Sequence, residues 1–274
     1  MEPFADRLRT ATSKFGPLCA GIDPSPKTLA SWGLPDDPSG LAAFIEISLE
    51  GALGSVGVIK PQVAFFERFG IPGLVVLQDL LTTARAQGLL VIADAKRSDI
   101  SSTAEAYGSA WLGSTAPFGA DALTVTPYLG LGALEPIFSA AAQAGSGIFV
   151  VVSSSNEEGR GLQTAAWGAG SVEEHLLNDI GIYNRSHRAE TVGAVIGVTR
   201  EPTAEAVGAM AGPLLLPGFG EQGGSAEQLR TRFAGLPNAL VVSVSRAWSS
   251  AGPDARALAS RANEFQDQLR EALA

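Results

Sequence analysis

The chain has 274 residues, 46% hydrophobic and 17% charged, which supplies a large buried core and excludes a disordered chain. Its formal net charge of -9, with no local basic patch, excludes nucleic acid as a partner, because a polyanion is repelled at long range. Its single cysteine, Cys19, excludes an internal disulfide, fits a reducing cytosol and reads as a small buried hydrophobe within the apolar run at 18–22.

The first ten residues, MEPFADRLRT, mix both charge signs and hold no apolar core, so they do not read as a secretory signal. No window approaches the roughly 18 uninterrupted apolar residues of a membrane span. The richest stretch, 121–152, is broken by Glu135, Pro136 and Gln143. A soluble, cytoplasmic protein with no membrane partner is expected.

Short runs of Val, Ile and Leu recur along the chain. They predict strands near 18–22, 56–60, 89–94, 122–126, 147–153, 193–198, 213–216 and 240–244. Most are continuous, without alternation, as strands buried on both faces of a parallel sheet should be. Helical patterns lie between and after them, near 39–54, 72–87, 101–116, 130–144, 171–187, 201–210, 225–234 and 254–273. Eight βα units in a row predict an α/β fold of the (β/α)8 barrel type, one domain over 1–274. An open doubly wound sheet is the chief competitor, but seldom needs eight strands. The longest connection, 155–192, follows the fifth strand and contains a helix.

Barrels carry their sites at the C-terminal ends of the strands, so the polar residues that end the apolar runs are the candidates. Asp23 follows strand one, Lys60 ends strand two, Asp94 and Lys96 end strand three, and Arg246 follows strand eight. Strands four to six end without charge, in Thr126, Ser154 and Thr199. Asp94 and Lys96 are two apart, so an extended backbone points both into the barrel mouth. Asp99 lies past the turn and need not face the same pocket. Lone charges there would neutralise by shifting pKa, whereas an alternating Lys–Asp–Lys–Asp array stays ionised. At about 4 Å and an effective dielectric near 20, each pair is worth roughly 4 kcal/mol, about three pKa units. A purely structural salt-bridge network is the competing reading.

Strand seven runs into Pro217–Gly224, PGFGEQGG, with G-x-G-x-x-G at Gly218, Gly220 and Gly223. As a dinucleotide fingerprint the motif is out of place, because it does not open a βαβ unit and no ribose-binding acid follows. In a barrel, a glycine-rich loop at this position offers backbone N–H groups to a phosphate, and Arg246 adds a forked cation. A small phosphomonoester substrate is expected. His175 and His187, the only histidines, fall on a polar helix and read as solvent-exposed, which leaves no His-based triad or metal site. Ser153–Ser155 have no histidine to activate them and read as hydrogen-bond donors. Trp111 and Trp167 read as packing residues.

These motifs together resemble the orotidine 5′-phosphate decarboxylase family, in its longer, divergent bacterial branch. The resemblance rests on GIDPSP at 21–26, KPQVAFFE at 60–67, DAKRSDI at 94–100, TPYLG at 126–130, SSN at 154–156 and PGFGEQGG at 217–224. It implies a cofactor-free and metal-free homodimer with sites at the subunit interface. Lys60, Asp94 and Lys96 would act from one subunit and Asp99 in the neighbour's site. Asp23, and Thr103 of the partner, would bind ribose hydroxyls, and Ser155 the pyrimidine. Gln222 and Arg246, with the loop at Pro217 and Gly223, would grip the phosphate. Ser98 stands where this branch usually has glycine. Two other readings compete: a Mg2+-dependent sugar-phosphate aldolase or decarboxylase of the same suprafamily, and a non-catalytic phosphate-binding barrel.

Overall fold

A computed structural model describes residues 2–220 and 223–273. The apolar runs become β1 (Leu18–Ile22), β2 (Val58–Pro61), β3 (Leu90–Arg97), β4 (Ala122–Val125) and β5 (Gly147–Ser153). A small antiparallel hairpin, β6 (Ala166–Trp167) and β7 (Gly170–Ser171), precedes β8 (Val192–Ile196), β9 (Leu214–Pro217) and β10 (Leu240–Val244). Apart from the hairpin, the strands are parallel and close a barrel, with Leu18 of β1 opposite Val242 of β10. Closure excludes the open doubly wound sheet.

Continuous burial along each strand splits into two layers by residue parity. Cys19, Val58, Ile92, Phe149, Val195, Leu215 and Val241 fill the barrel interior. Leu18, Ala20, Ile22, Val91, Ile148 and Val242 face outward into the layer shared with the helices. Each fully buried aliphatic side chain contributes about 1.5–3 kcal/mol, so both layers hold the strand ends in fixed register. Helix starts are set locally. Asp37 accepts the N–H groups of Ser39 and Gly40 ahead of the helix Pro38–Ala52. Ser171–Glu174 and Ser225–Gln228 form capping boxes at the starts of Val172–His187 and Ala226–Phe233.

Several elements differ from expectation. A helix at Phe4–Phe15 was not predicted; it plugs the N-terminal end of the barrel, where Phe4 packs edge-on against Phe149 at 6.0 Å. Arg7 on this helix pairs with buried Asp121 and donates to the Gly145 carbonyl at 3.1 Å. The predicted helix at 101–116 stops at Trp111. That at 130–144 divides into a 3-10 turn at Leu131–Leu134 and a helix at Glu135–Ala144, with proline in its first turn. Trp111 is packed as expected, stacked on Phe118 at 4.3 Å. Trp167 is not: it sits on the hairpin, 54% exposed, with only the His175 ring beside it at 4.9 Å among the aromatic contacts. Among the described residues no helix is long and apolar enough to cross a membrane.

Candidate active site

The C-terminal strand ends surround a cavity of about 270 Å³. Its wall includes Asp23, Lys60, Asp94, Lys96, Ser155, Pro217 and Arg246, seven of the candidates named from sequence. Val151, Val195 and Leu215 form an apolar floor. Gly21 of β1 permits the closure of this ring: a Cβ there would lie 1.8 Å from the Ser245 hydroxyl, so a side chain would push β10 away from β1.

The centre of the site is the Asp94 carboxylate, 8% exposed. Lys60 donates to its Oδ2 at 2.9 Å and Lys96 to its Oδ1 at 2.5 Å. Thr124 donates its hydroxyl to Oδ1 at 3.0 Å and accepts the Lys96 N–H at 3.0 Å. Burial by itself would raise the Asp94 pKa, but the charges of Lys60 and Lys96 outweigh it and hold the carboxyl well below its usual range. Burial likewise opposes the Lys60 charge, yet Asp94 and then Asp23 raise its pKa above the ordinary lysine value. All of this keeps the buried part of the array ionised. Cys19 lies beneath it, its thiol pushed up to about 12 chiefly by burial, and is an inert hydrophobe as expected.

Asp94 and Lys96 reach one pocket, but not by simple strand alternation. The pairing of β3 with β4 shifts register between Ala93 and Arg97, and Lys96 has φ +48°, in the left-handed region. The strand also runs to Arg97, past the predicted end at 94. A bulge thus turns the Lys96 side chain back over Asp94, a strained placement of the kind held in functional sites.

Asp23 has its Oδ1 buried without a hydrogen-bond partner. The residue as a whole is half-buried and lines the cavity wall. Ser155 and Arg246 both line the cavity, Arg246 as the first residue of a short helix after β10. Gly223 is exposed at the end of the glycine loop, outside the cavity wall, and Gln222 lies outside the described residues. Within that loop, Gly220 and Gly224 donate their N–H groups to the carbonyls of Gly224 and Gly218, at 2.9 and 3.0 Å. Gly223 likewise donates its N–H to the Gly220 carbonyl at 3.1 Å, so these three amides hold the turn and the glycine loop cannot offer every N–H to an anion. Asp99 and Thr103 are not brought to this cavity. Asp99 is half-buried and caps the Ile100 N–H at 2.8 Å, and Thr103 is exposed on the following helix.

Two participants escaped the sequence reading. Gln62 accepts from Lys96 at 3.5 Å and donates to the Asp94 carbonyl at 3.3 Å. Thr124 lies inside the fourth apolar run, not at its end, so it is not among the strand-terminal candidates. The signal for it is that it is the one polar residue inside that run.

Fold and site together define a (β/α)8-barrel enzyme with an ionised lysine–aspartate–lysine centre at its C-terminal mouth. The model of the orotidine 5′-phosphate decarboxylase / HUMPS family matches residues 16–261. The chain belongs to that family. Curated relatives named orotidine 5′-phosphate decarboxylase include one from Salinispora arenicola (strain CNS-205), 44% identical over 275 residues, covering 100% of this chain and 99% of the relative. Another, from Streptomyces coelicolor (strain ATCC BAA-471 / A3(2) / M145), is 43% identical with the same coverage. A crystal structure from Streptomyces avermitilis ma-4680 matches with a TM-score of 0.93 at 42% identity, over 100% of this chain and 96% of that one. The structure of Leishmania donovani OMP decarboxylase matches with a TM-score of 0.78 at 27% identity, over 98% and 99%.

Proposed function

We propose that the chain, as one barrel domain over 1–274, converts orotidine 5′-phosphate to UMP and CO2, the last step of de novo pyrimidine nucleotide synthesis, in the cytoplasm. The observation that carries this reading is the Asp94 carboxylate, buried and ionised between Lys60 and Lys96 in the mouth of the barrel. The C6–carboxylate bond breaks and its electron pair stays on C6, where the ring delocalises it poorly. Stabilisation must then come from fixed charge and from binding at remote parts of the substrate. Asp94 faces the departing carboxylate, and like-charge contact disfavours the ground state more than the transition state. Lys96, whose side chain is 47% exposed and so free to leave Asp94, stabilises the carbanion and delivers an ammonium proton to C6. Solvent then reprotonates the amine.

Asp23, in the cavity wall, accepts from a ribose hydroxyl, and Ser155 bonds the pyrimidine. Arg246, together with Gln222 and the Pro217–Gly223 loop, holds the 5′-phosphate and couples remote binding to loop closure. Asp99 and Thr103 serve the site of a second copy in a homodimer. Their separation from this cavity supports the assignment, as do the exposed Ile100, Tyr128 and Leu129 on the adjoining loops. A Mg2+-dependent reaction at the same strand ends is disfavoured by Lys60, whose buried ammonium would repel the metal. The test is incubation with orotidine 5′-phosphate, with and without EDTA, following UMP. EDTA-resistant formation of UMP is expected; no UMP, or loss of turnover with EDTA, would refute the proposal.

A further inference from the structure

Arg200 lies just past β8 and is 8% exposed, yet among the described residues no carboxylate pairs with it. Its donors go to one short segment instead. Nε donates to the Ser154 carbonyl at 2.6 Å, and Nη2 donates to the Asn156 carbonyl at 3.3 Å and to the Gln163 side-chain oxygen at 3.2 Å. Gln163 completes the clamp: its oxygen accepts the Ser154 N–H at 3.2 Å, and its amide donates to the Ser154 hydroxyl at 2.8 Å. On the other side, the Gly197 N–H donates to the Ser153 carbonyl at 2.7 Å. A Cβ on Gly197 would lie 2.9 Å from the Ser155 Cα, so the two backbones touch.

A buried guanidinium is costly unless its donors find acceptors, and here Nε and Nη2 find the carbonyls on both sides of Ser155 and the Gln163 oxygen. The cation therefore fixes the shape of a loop instead of neutralising a charge. We infer that Arg200 is a positioning residue for base recognition: it acts through Ser155, and through Gln163 it ties the insertion after β5 to the base-binding wall of the cavity. The inference rests on the function proposed above.

Arg200→Met keeps the aliphatic stem and removes the donors. The readouts are the inhibition constants of UMP, which carries the base, and of ribose 5-phosphate, which does not, against turnover of orotidine 5′-phosphate. The constant for UMP should rise about tenfold, the cost of one misplaced buried hydrogen bond, while that for ribose 5-phosphate stays within about twofold. Arg200→Lys, able to keep one carbonyl contact, should fall between. Equal weakening of both ligands, or of neither, overturns the inference. Should Arg200→Met not fold, Gln163→Leu must show the same split at smaller size, and an unchanged ratio there overturns it equally. Wild-type protein that neither turns over orotidine 5′-phosphate nor binds UMP overturns the functional reading itself. That failure is distinct from an active variant with a wild-type ratio.

Discussion

Replacing Asp94 by Asn keeps the side chain's shape and removes its charge, so the dependence of Lys60 on that charge becomes measurable. Lys60 is 5% exposed, and its ammonium lies 2.9 Å from Oδ2. Burial opposes this ammonium; Asp94, and after it Asp23, keep it charged. In the variant the burial penalty remains while the stronger of the two opposing charges is gone. Removing one partner of a buried pair costs about 3–5 kcal/mol, which for a chain of this size lowers Tm by roughly 10 °C at pH 7. Lys96 adds little to this figure, because its half-exposed ammonium is rehydrated when the pair is lost.

The pH dependence has a definite sign. In the wild type Lys60 has a raised pKa, so its contribution is fully present below the unfolded value of about 10.4 and is lost as pH rises through the folded value. In Asp94→Asn the folded protein holds the Lys60 proton less tightly and relieves its penalty by releasing it. The gap in Tm should therefore be widest near neutrality and narrow steadily towards pH 10. Calorimetry of both proteins across that range measures it. A gap below about 1 kcal/mol at pH 7, or one that does not change with pH, would show that Lys60 does not depend on Asp94 for its charge.

Four further outcomes test the rest of the site. Lys96→Ala should abolish UMP formation while the fold survives by circular dichroism; substantial residual turnover removes the proton-donor role. Arg246→Ala should raise KM about tenfold or more through loss of a charge-assisted phosphate contact, and an unchanged kcat/KM would show that no phosphate binds there. Thr124→Val, which keeps volume and removes the hydroxyl between Asp94 and the Lys96 N–H, should lower kcat about tenfold with little change in KM, and Thr124→Ser should restore most of it. Mixing inactive Asp99→Ala and Lys96→Ala proteins should recover part of the activity, because a mixed dimer rebuilds one intact site; no recovery argues against shared sites.

The barrel was legible because buried parallel strands leave uninterrupted apolar runs, and the charges that end those runs, Asp23, Lys60, Asp94 and Lys96, do line one cavity. What escaped depends on local backbone geometry or on distant partners. Lys96 reaches Asp94 through a bulge and a left-handed φ, which a two-residue spacing cannot reveal. Thr124 sits one position inside its strand, so it is not among the polar residues that end the apolar runs. Arg200 falls in a loop four residues beyond its strand, and its burial follows from carbonyls some 40 residues earlier in the chain. The helix Phe4–Phe15 was hidden by its own composition: its buried stripe amounts to Phe4, Ala5 and Leu8 amid charged neighbours, so it resembles a solvated surface until the barrel end it covers is known.

That helix also constrains the order of assembly. Its partners lie far along the chain: Arg7 reaches Asp121 and Gly145, and Phe4 meets Phe149. The barrel it stoppers is not closed until β10 joins β1. During synthesis this helix therefore waits, with Phe4 and Leu8 unburied, until Asp121 and Phe149 have emerged. Contacts of such long sequence separation are slow to form and are rewarded only when ring closure is complete. Until the ring closes, Phe4 and Leu8 are apolar surface on an otherwise polar helix, and they are buried far from the mouth of the barrel only once the long-range partners are in place.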